Sequence, residues 1–198
     1  MKLMIKFCIG MIVVFVLFQS FSPMSINTTE EQKYKVVRTY EDFEIRFYPS
    51  TVIATFKSDA KTYNDLSGPG FQKLAGYIFG GNEANMKISM TSPVHMDVSD
   101  SVSTMSFVMP SEYTKKTLPK PNDTSVNIIN TEDEYVAAIR FSGFATDQDR
   151  KDYTKKLQDL LKENSINSFG HYRFLGYDPP YQMRDRRNEI VVTVKWKE

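Results

Sequence analysis

Asn85-Met86-Lys87-Ile88-Ser89-Met90-Thr91-Ser92-Pro93-Val94 is the stretch on which the reading of this chain turns. Before it, Phe71, Leu74, Ala75, Ile78 and Phe79 recur at helical spacing, and Gly80-Gly81 closes that helix with residues that tolerate positive φ. Upstream, Gly68-Pro69-Gly70 predicts a break in the helix. Residues 87–91 read as a strand stopped by Ser92-Pro93. A polar loop with Asp97, Asp100 and several serines then leads to a second strand over 104–109. With residues 51–57, where Val52, Ala54 and Phe56 share one face, the order is strand, helix, strand, proline-containing loop, strand.

The second half repeats that order. Residues 135–141 read as a strand, and Thr146 caps a helix with Asp149 three residues on. Tyr153, Leu157, Leu160 and Leu161 form that helix's apolar face, residues 171–177 the next strand and 189–196 the last, with Trp196 as bulky core. Asp178-Pro179-Pro180 takes the place that Ser92-Pro93 holds in the first copy. One βαββ unit leaves its sheet with an unburied face, so two must combine. The expected fold is α+β: duplicated βαββ units whose two sheets pair into a distorted antiparallel β-barrel, with the helices packed outside.

A hairpin precedes the first copy. Residues 34–39 and 43–48 flank a Glu41-Asp42 turn, and Phe43, Ile45 and Phe47 alternate with Glu44, Arg46 and Tyr48. The stretch 114–124, with Pro119 and Pro121, reads as a linker. Residues 23–33 are polar and read as a tether, with the domain starting at Tyr34 and running to 198. Residues 1–22 carry Lys2 and Lys6 ahead of an uncharged apolar run, 7–18, which is the layout of a secretory signal peptide or an N-terminal membrane anchor. Ser20 and Ser22 offer a cleavage site, but Pro23 after the cut disfavours it. The expectation is an exported domain, periplasmic or otherwise extracytoplasmic, anchored to the membrane where the segment is retained.

Composition narrows the function classes. Cys8 is the only cysteine and sits inside the apolar run, so the domain has no thiol for a disulfide, a nucleophile or a metal. Net charge is +1, and −1 without Lys2 and Lys6, which leaves no basic footprint for nucleic acid. His95 and His171 are the only histidines and lie far apart in sequence, against a zinc site. No G-x-S-x-G elbow appears, and no catalytic motif is found. Asn27-Thr28-Thr29 and Asn122-Asp123-Thr124 match the N-glycosylation pattern.

Lys87-Ile88-Ser89-Met90-Thr91-Ser92-Pro93-Val94 fits a K-I-x-M-T-x-P-V pattern. Gly176-Tyr177-Asp178-Pro179-Pro180, followed by Arg187-Asn188-Glu189-Ile190, fits G-Y-x-x-P and R-x-N-E-[IV]. In that order, over about residues 36–196, the chain resembles the SOUL haem-binding protein family. The resemblance implies the duplicated βαββ architecture and reversible binding of haem or another tetrapyrrole in an apolar cleft. In one subgroup of that family a His within I-R-H-Y is a candidate axial ligand; here the strand reads Ile45-Arg46-Phe47-Tyr48, and Phe47 cannot bind iron. In another, basic residues flank the helix; aligned by Lys73 and Gly80-Gly81, those positions are Gly68 and Gly76. The expected ligand wall is therefore Phe47, Phe71, Leu74, Ile78, Met86 and Met90, with Lys73, Lys87 or Arg46 for the carboxylates, and haem held weakly without an axial ligand. The competing reading is that these apolar groups fill the core.

Two other classes stay open. One is a small-molecule hydrolase or effector-binding domain of the same duplicated fold, drafting Tyr77, Tyr135, Tyr181 and Glu189. The other is a cell-envelope interaction protein with no ligand. Arg184, Arg186 and Arg187 read as a solvated loop, and Glu189 as an anchor for neighbouring backbone.

Overall fold

A computed structural model describes residues 29–179 and 181–197. The expected signal or anchor, 1–22, and the tether up to residue 28 lie outside the described residues. In chain order come β1 (Glu30–Glu31), β2 (Lys35–Thr39), β3 (Glu44–Tyr48), β4 (Val52–Ser58) and α1 (Tyr63–Ile78). Then follow β5 (Thr91–Ser92), β6 (Val94–Asp97), β7 (Ser103–Val108) and β8 (Val126–Asn130). The last are β9 (Glu134–Ser142), α2 (Asp147–Glu163), β10 (Ser168–Gly176) and β11 (Arg187–Val194).

Nine strands form one antiparallel sheet in the order β2-β3-β9-β11-β10-β6-β7-β4-β8. The duplication is plain in that order. β4-α1-β6-β7 and β9-α2-β10-β11 are the two copies, and they join where β6 pairs with β10, His95 opposite Leu175. The strand leading into each copy pairs with the other copy: β3 lies on β9 and β8 on β4. The two corners that allow this exchange are laced together. Ser50 N donates to Asp133 Oδ1 at 2.6 Å, Ser50 Oγ to the Thr131 carbonyl at 2.7 Å, and Thr51 N to Thr131 Oγ1 at 2.9 Å.

The copies thus add side by side rather than face to face, and each covers one sheet face with its own helix. This corrects the expected barrel of two sheets. The large sheet is open, with β2 and β8 as its edges, and a separate short parallel pair joins β1 to β5. The main core lies between this face and the helices, around Leu66, Leu74, Met105, Phe107, Ile139, Phe141, Leu157 and Ile190. A smaller cluster, Tyr48, Val136, Ala138, Leu175 and Val191, sits on the opposite face.

Several local expectations need correction. Pro69 lies inside α1, which runs unbroken from Tyr63 to Ile78. Gly70 is there for packing: a Cβ on it would stand 3.1 Å from the Cβ and Sδ of Met105 on β7. Residues 87–91 are not a ladder strand. That segment wraps around the fully buried Asn82, whose Nδ2 donates to the carbonyls of Tyr77 (3.0 Å) and Met86 (2.7 Å) while its Oδ1 accepts from Met86 N (2.9 Å). The strand of the first copy is β6, which lies in the segment expected to be a polar loop. Ser92-Pro93 therefore precedes β6, and the counterpart of the Asp178-Pro179 turn is 98–102. Among the described residues, strand pairing is already present at Glu30, ahead of the expected start at Tyr34, because β1 pairs with β5 and Gln32 N donates to the Ser92 carbonyl at 2.8 Å. The second helix agrees with its reading: Asp149 N donates to Thr146 Oγ1 and Thr146 N to Asp149 Oδ2, a closed capping box.

Candidate functional site

The expected ligand wall divides. α1 packs on β7, β4 and β8, so Leu74 and Ile78 on its inner face are fully buried. Phe71 is 42% exposed, its ring edge-on to Phe107 at 5.4 Å. Met86 and Met90 are half-buried against the core, and Lys87 is exposed. Lys73 is engaged by Asp123 at 2.5 Å, and with Ser125 it holds that carboxyl well below the usual carboxylate range. Phe47 stands apart on β3, its ring 5.1 Å from Tyr135. None of these residues lines either of the clefts described below.

Three motif segments meet instead in a buried ionic knot. Glu189 on β11 is fully buried. It accepts from Arg46 Nη1 (2.7 Å) and Nη2 (3.1 Å), Arg187 Nε (3.0 Å) and the Tyr177 hydroxyl (2.9 Å). Burial pushes the Glu189 pKa up, but the hydrogen bonds and charge of Arg46, then of Arg187, outweigh it and hold the carboxyl below its ordinary value. Burial raises Tyr177 and Tyr48 in turn, keeping both phenols protonated. Arg46 lies over the Tyr34 ring at 4.3 Å and Arg187 over Tyr177 at 3.7 Å. Arg46 is thus committed to Glu189 and is not available to a ligand carboxylate. The four residues drafted for catalysis do not converge: Tyr77 is buried with its hydroxyl on the Pro119 carbonyl, Glu189 is in the knot, Tyr181 is 82% exposed, and Tyr135 lines a cleft.

That cleft, about 1000 Å³, opens at the end of the sheet where β9 and β10 begin and β11 finishes. Tyr135, Phe169 and Trp196 give it flat aromatic walls, and Arg173, Lys195 and Lys197 give it cations. Phe169 is 53% exposed, Trp196 is half-buried against the core, and Phe47 backs Tyr135. Three acids line it as well: Glu134 is neutralised by Arg173 in a bidentate pair (2.9 Å on both oxygens) and also accepts from Thr193 Oγ1, Asp133 accepts from Ser50 N, and Glu132 is exposed at the rim. Past the Glu134–Arg173 pair lies a smaller pocket of about 280 Å³ on the helix-free face, with Thr55, His95, Asp97 and Ser106. There His95 Nε2 meets Gln32 Oε1 at 2.7 Å, and burial, with the charge of Arg173, pushes its pKa down to about 3, so the ring is neutral near pH 7. His171 is exposed, its Nδ1 3.2 Å from Asp97 Oδ2.

Sequence reasoning passed over the cleft's ligand-sized shape. Its residues come from 131–135, 169–173 and 193–197, and the one local signal was an exposed-face Phe169 just before Gly170, which adopts φ +75°.

Residues 29–193 match the family model described as SOUL heme-binding protein. The mouse protein named heme-binding protein 2 is 32% identical over 162 residues, covering 77% of this chain and 78% of its own. Heme-binding protein 1 of Xenopus laevis is 28% identical over 155 residues, 75% of this chain and 81% of its own. Among solved structures, a Listeria innocua protein titled a hydrolase aligns with a TM-score of 0.59 at 9% identity, covering 85% of this chain and all of its own. The EcmrR C-terminal domain aligns at 0.57 with 11% identity, over 82% of this chain and 98% of its own. These two share the fold alone. The chain belongs to the SOUL heme-binding protein family.

Proposed function

We propose that this protein binds haem or another tetrapyrrole reversibly, seated in the cleft of about 1000 Å³ between Tyr135, Phe169 and Trp196. The observation that carries the reading is the pairing of flat aromatic walls with cations. A macrocycle offers a wide π surface, which ring walls take up by stacking and burial. Its carboxylates suit Lys195 and Lys197, since Arg173 is already satisfied by Glu134. When bound, haem supplies iron chemistry and a strong absorption band; the chain supplies contacts, orientation and exclusion of water. The cleft lining includes no His, Met or Cys, and Tyr135 offers the one phenol oxygen. Affinity is therefore modest and rests on apolar contact.

The second reading places the ligand on the outer side of α1, supported by the exposure of Phe71 (42%) and Phe79 (63%) near Met86 and Lys87. Titrating haemin and following the Soret band separates the two. The cleft predicts weaker binding in Phe169→Asp and Trp196→Ala with Phe71→Asp unchanged, and the helix predicts the reverse. No saturable binding in the parent chain rejects both and leaves the hydrolase, effector-binding or ligand-free readings.

Export belongs to the same proposal, supported by Lys2 and Lys6 ahead of residues 7–18. A reporter active only in the cytoplasm, fused after Lys33, stays silent if this is right.

A further inference from the structure

One end of the sheet carries large apolar side chains that face solvent. There β9 and β10 finish while β11 and β6 begin: Ser142 lies opposite Arg187, and Gly176 opposite both Asn188 and Val94. Beyond those strand ends stand Phe144 (55% exposed), Tyr181 (82%) and Met183 (73%). A soluble domain ordinarily avoids grouping such residues, so a contiguous set marks a contact surface.

The grouping is built. Arg186 lies over the Phe144 ring at 4.9 Å, joining the β9–α2 loop to the β10–β11 loop. Its Nη1 donates to the carbonyls of Pro179 (2.8 Å) and Gln182 (3.1 Å), and its Nη2 to that of Asp178 (3.3 Å). Asn188 Nδ2 donates to the Gly143 carbonyl at 2.8 Å, fixing a glycine at φ +94° just before Phe144. Over its five positions the R-x-N-E-[IV] pattern runs from Arg186 to Ile190, beginning one residue ahead of Arg187, so Arg186 and Asn188 are its R and N. Two motif residues thus hold exposed hydrophobes in place, so the ordering entropy of that surface is already met in the free protein.

The chain's own layout indicates the partner. The N-terminal arm docks at this end: Glu30 and Glu31 pair with Thr91 and Ser92, which stand just before β6, and Glu31 accepts from Arg187 Nη1 at 3.1 Å. Residues 1–28, which contain the apolar run 7–18, therefore join the domain here. Arg184 and Arg140 are exposed cations on the same two loops and strand end. A tyrosine, a methionine and a phenylalanine beside arginine form the mixture that settles at a bilayer surface, rings among the headgroups and guanidinium at the phosphates.

We propose that this end is a membrane-docking face, with Phe144, Tyr181 and Met183 entering the headgroup region of a phospholipid bilayer and Arg184 meeting its phosphates. The inference is independent of haem. Its test uses the full chain in a Cys8→Ser background, Cys8 being the only cysteine. An environment-sensitive fluorophore is placed at Gln182→Cys, or as control at Ser101→Cys in the β6–β7 turn at the opposite end. With vesicles of phosphatidylcholine and phosphatidylglycerol, emission at 182 shifts to the blue, rises severalfold and is quenched by lipid brominated near the headgroup. The label at 101 stays aqueous. Adding Tyr181→Asp and Met183→Asp to the 182-labelled chain removes the response. An aqueous label at 182 on vesicle-bound chain overturns the proposal and assigns the patch to a protein contact. Equal responses at 182 and 101 overturn it as well, since they report no preferred face.

Discussion

The two copies of the βαββ unit put their extra residues at different corners. In the first, the detour lies between α1 and β6, residues 79–93, while the β6–β7 turn is short. In the second, α2 reaches β10 directly through 164–167, and the detour is the β10–β11 loop, 177–186. Each detour coincides with one of the family's motif stretches, and each is pinned by polar side chains: the buried Asn82 in the first, the half-buried Arg186 and the buried Asn188 and Glu189 in the second. The lesson is that the motifs mark where the chain leaves the repeat and must be tied back. They identify the fold strongly for that reason, and they say little about where a ligand sits.

The heaviest blow to this symmetry comes from Glu189. Glu189→Ala takes the shared carboxylate from the buried Arg46 and the half-buried Arg187, leaving them only Glu44 and Glu31 as acidic partners among the described residues, and breaking such a pair by removing one partner costs about 3 kcal/mol. Denaturant unfolding reads it; a loss under 1 kcal/mol rules out the knot as an anchor. Its pH dependence has a defined sign. The folded pKa lies below the ordinary glutamate value, so the stabilisation is present above that value and fades as pH falls through the folded one. Glu189→Gln should remove that acid-side slope while retaining most of the shape.

Asn82→Ala tests the other pin. It leaves the Met86 amide and the carbonyls of Tyr77 and Met86 short of partners inside a fully buried site, a cost of about 2–3 kcal/mol. If the motifs are ties and not ligand contacts, haemin affinity per folded molecule stays within a few-fold in this variant. A loss of binding with stability intact would move the site to the first detour.

What the sequence made legible follows from range. Alternation in 43–48, the period of 71–79 and the Thr146–Asp149 box are local, and the corresponding elements stand where expected. Val94-His95-Met96-Asp97 is short and half polar, and Val126-Asn127-Ile128-Ile129-Asn130 follows a proline-rich stretch; both are strands because β10, β7 and β4 supply ladder partners that no local pattern shows. The barrel expectation failed at the same range, since only the β6–β10 pairing decides that the copies join edge to edge. Of the expected site, α1 was found correctly as a helix, but which of its residues face outward depended on β7. The aromatic cleft draws on three distant segments and carried no periodic signal.

The smallest effect lies at the seam between the copies, where the first contributes a histidine and the second an arginine. His95 has a folded pKa of about 3 against about 6.5 for the free side chain, lowered first by burial and then by Arg173. Between those values the unfolded chain binds a proton that the folded chain refuses, so stability falls as pH drops below about 6.5 and levels near the folded pKa. The full slope for one such group is about 1.4 kcal/mol per pH unit, and partial exposure of the ring brings the expectation to about 1 or less. His95→Gln should flatten the stability profile between pH 6.5 and about 5, leaving only the steeper loss that Glu189 imposes at lower pH. An unchanged slope would show that His95 takes up its proton in the folded protein too, with Gln32 giving way.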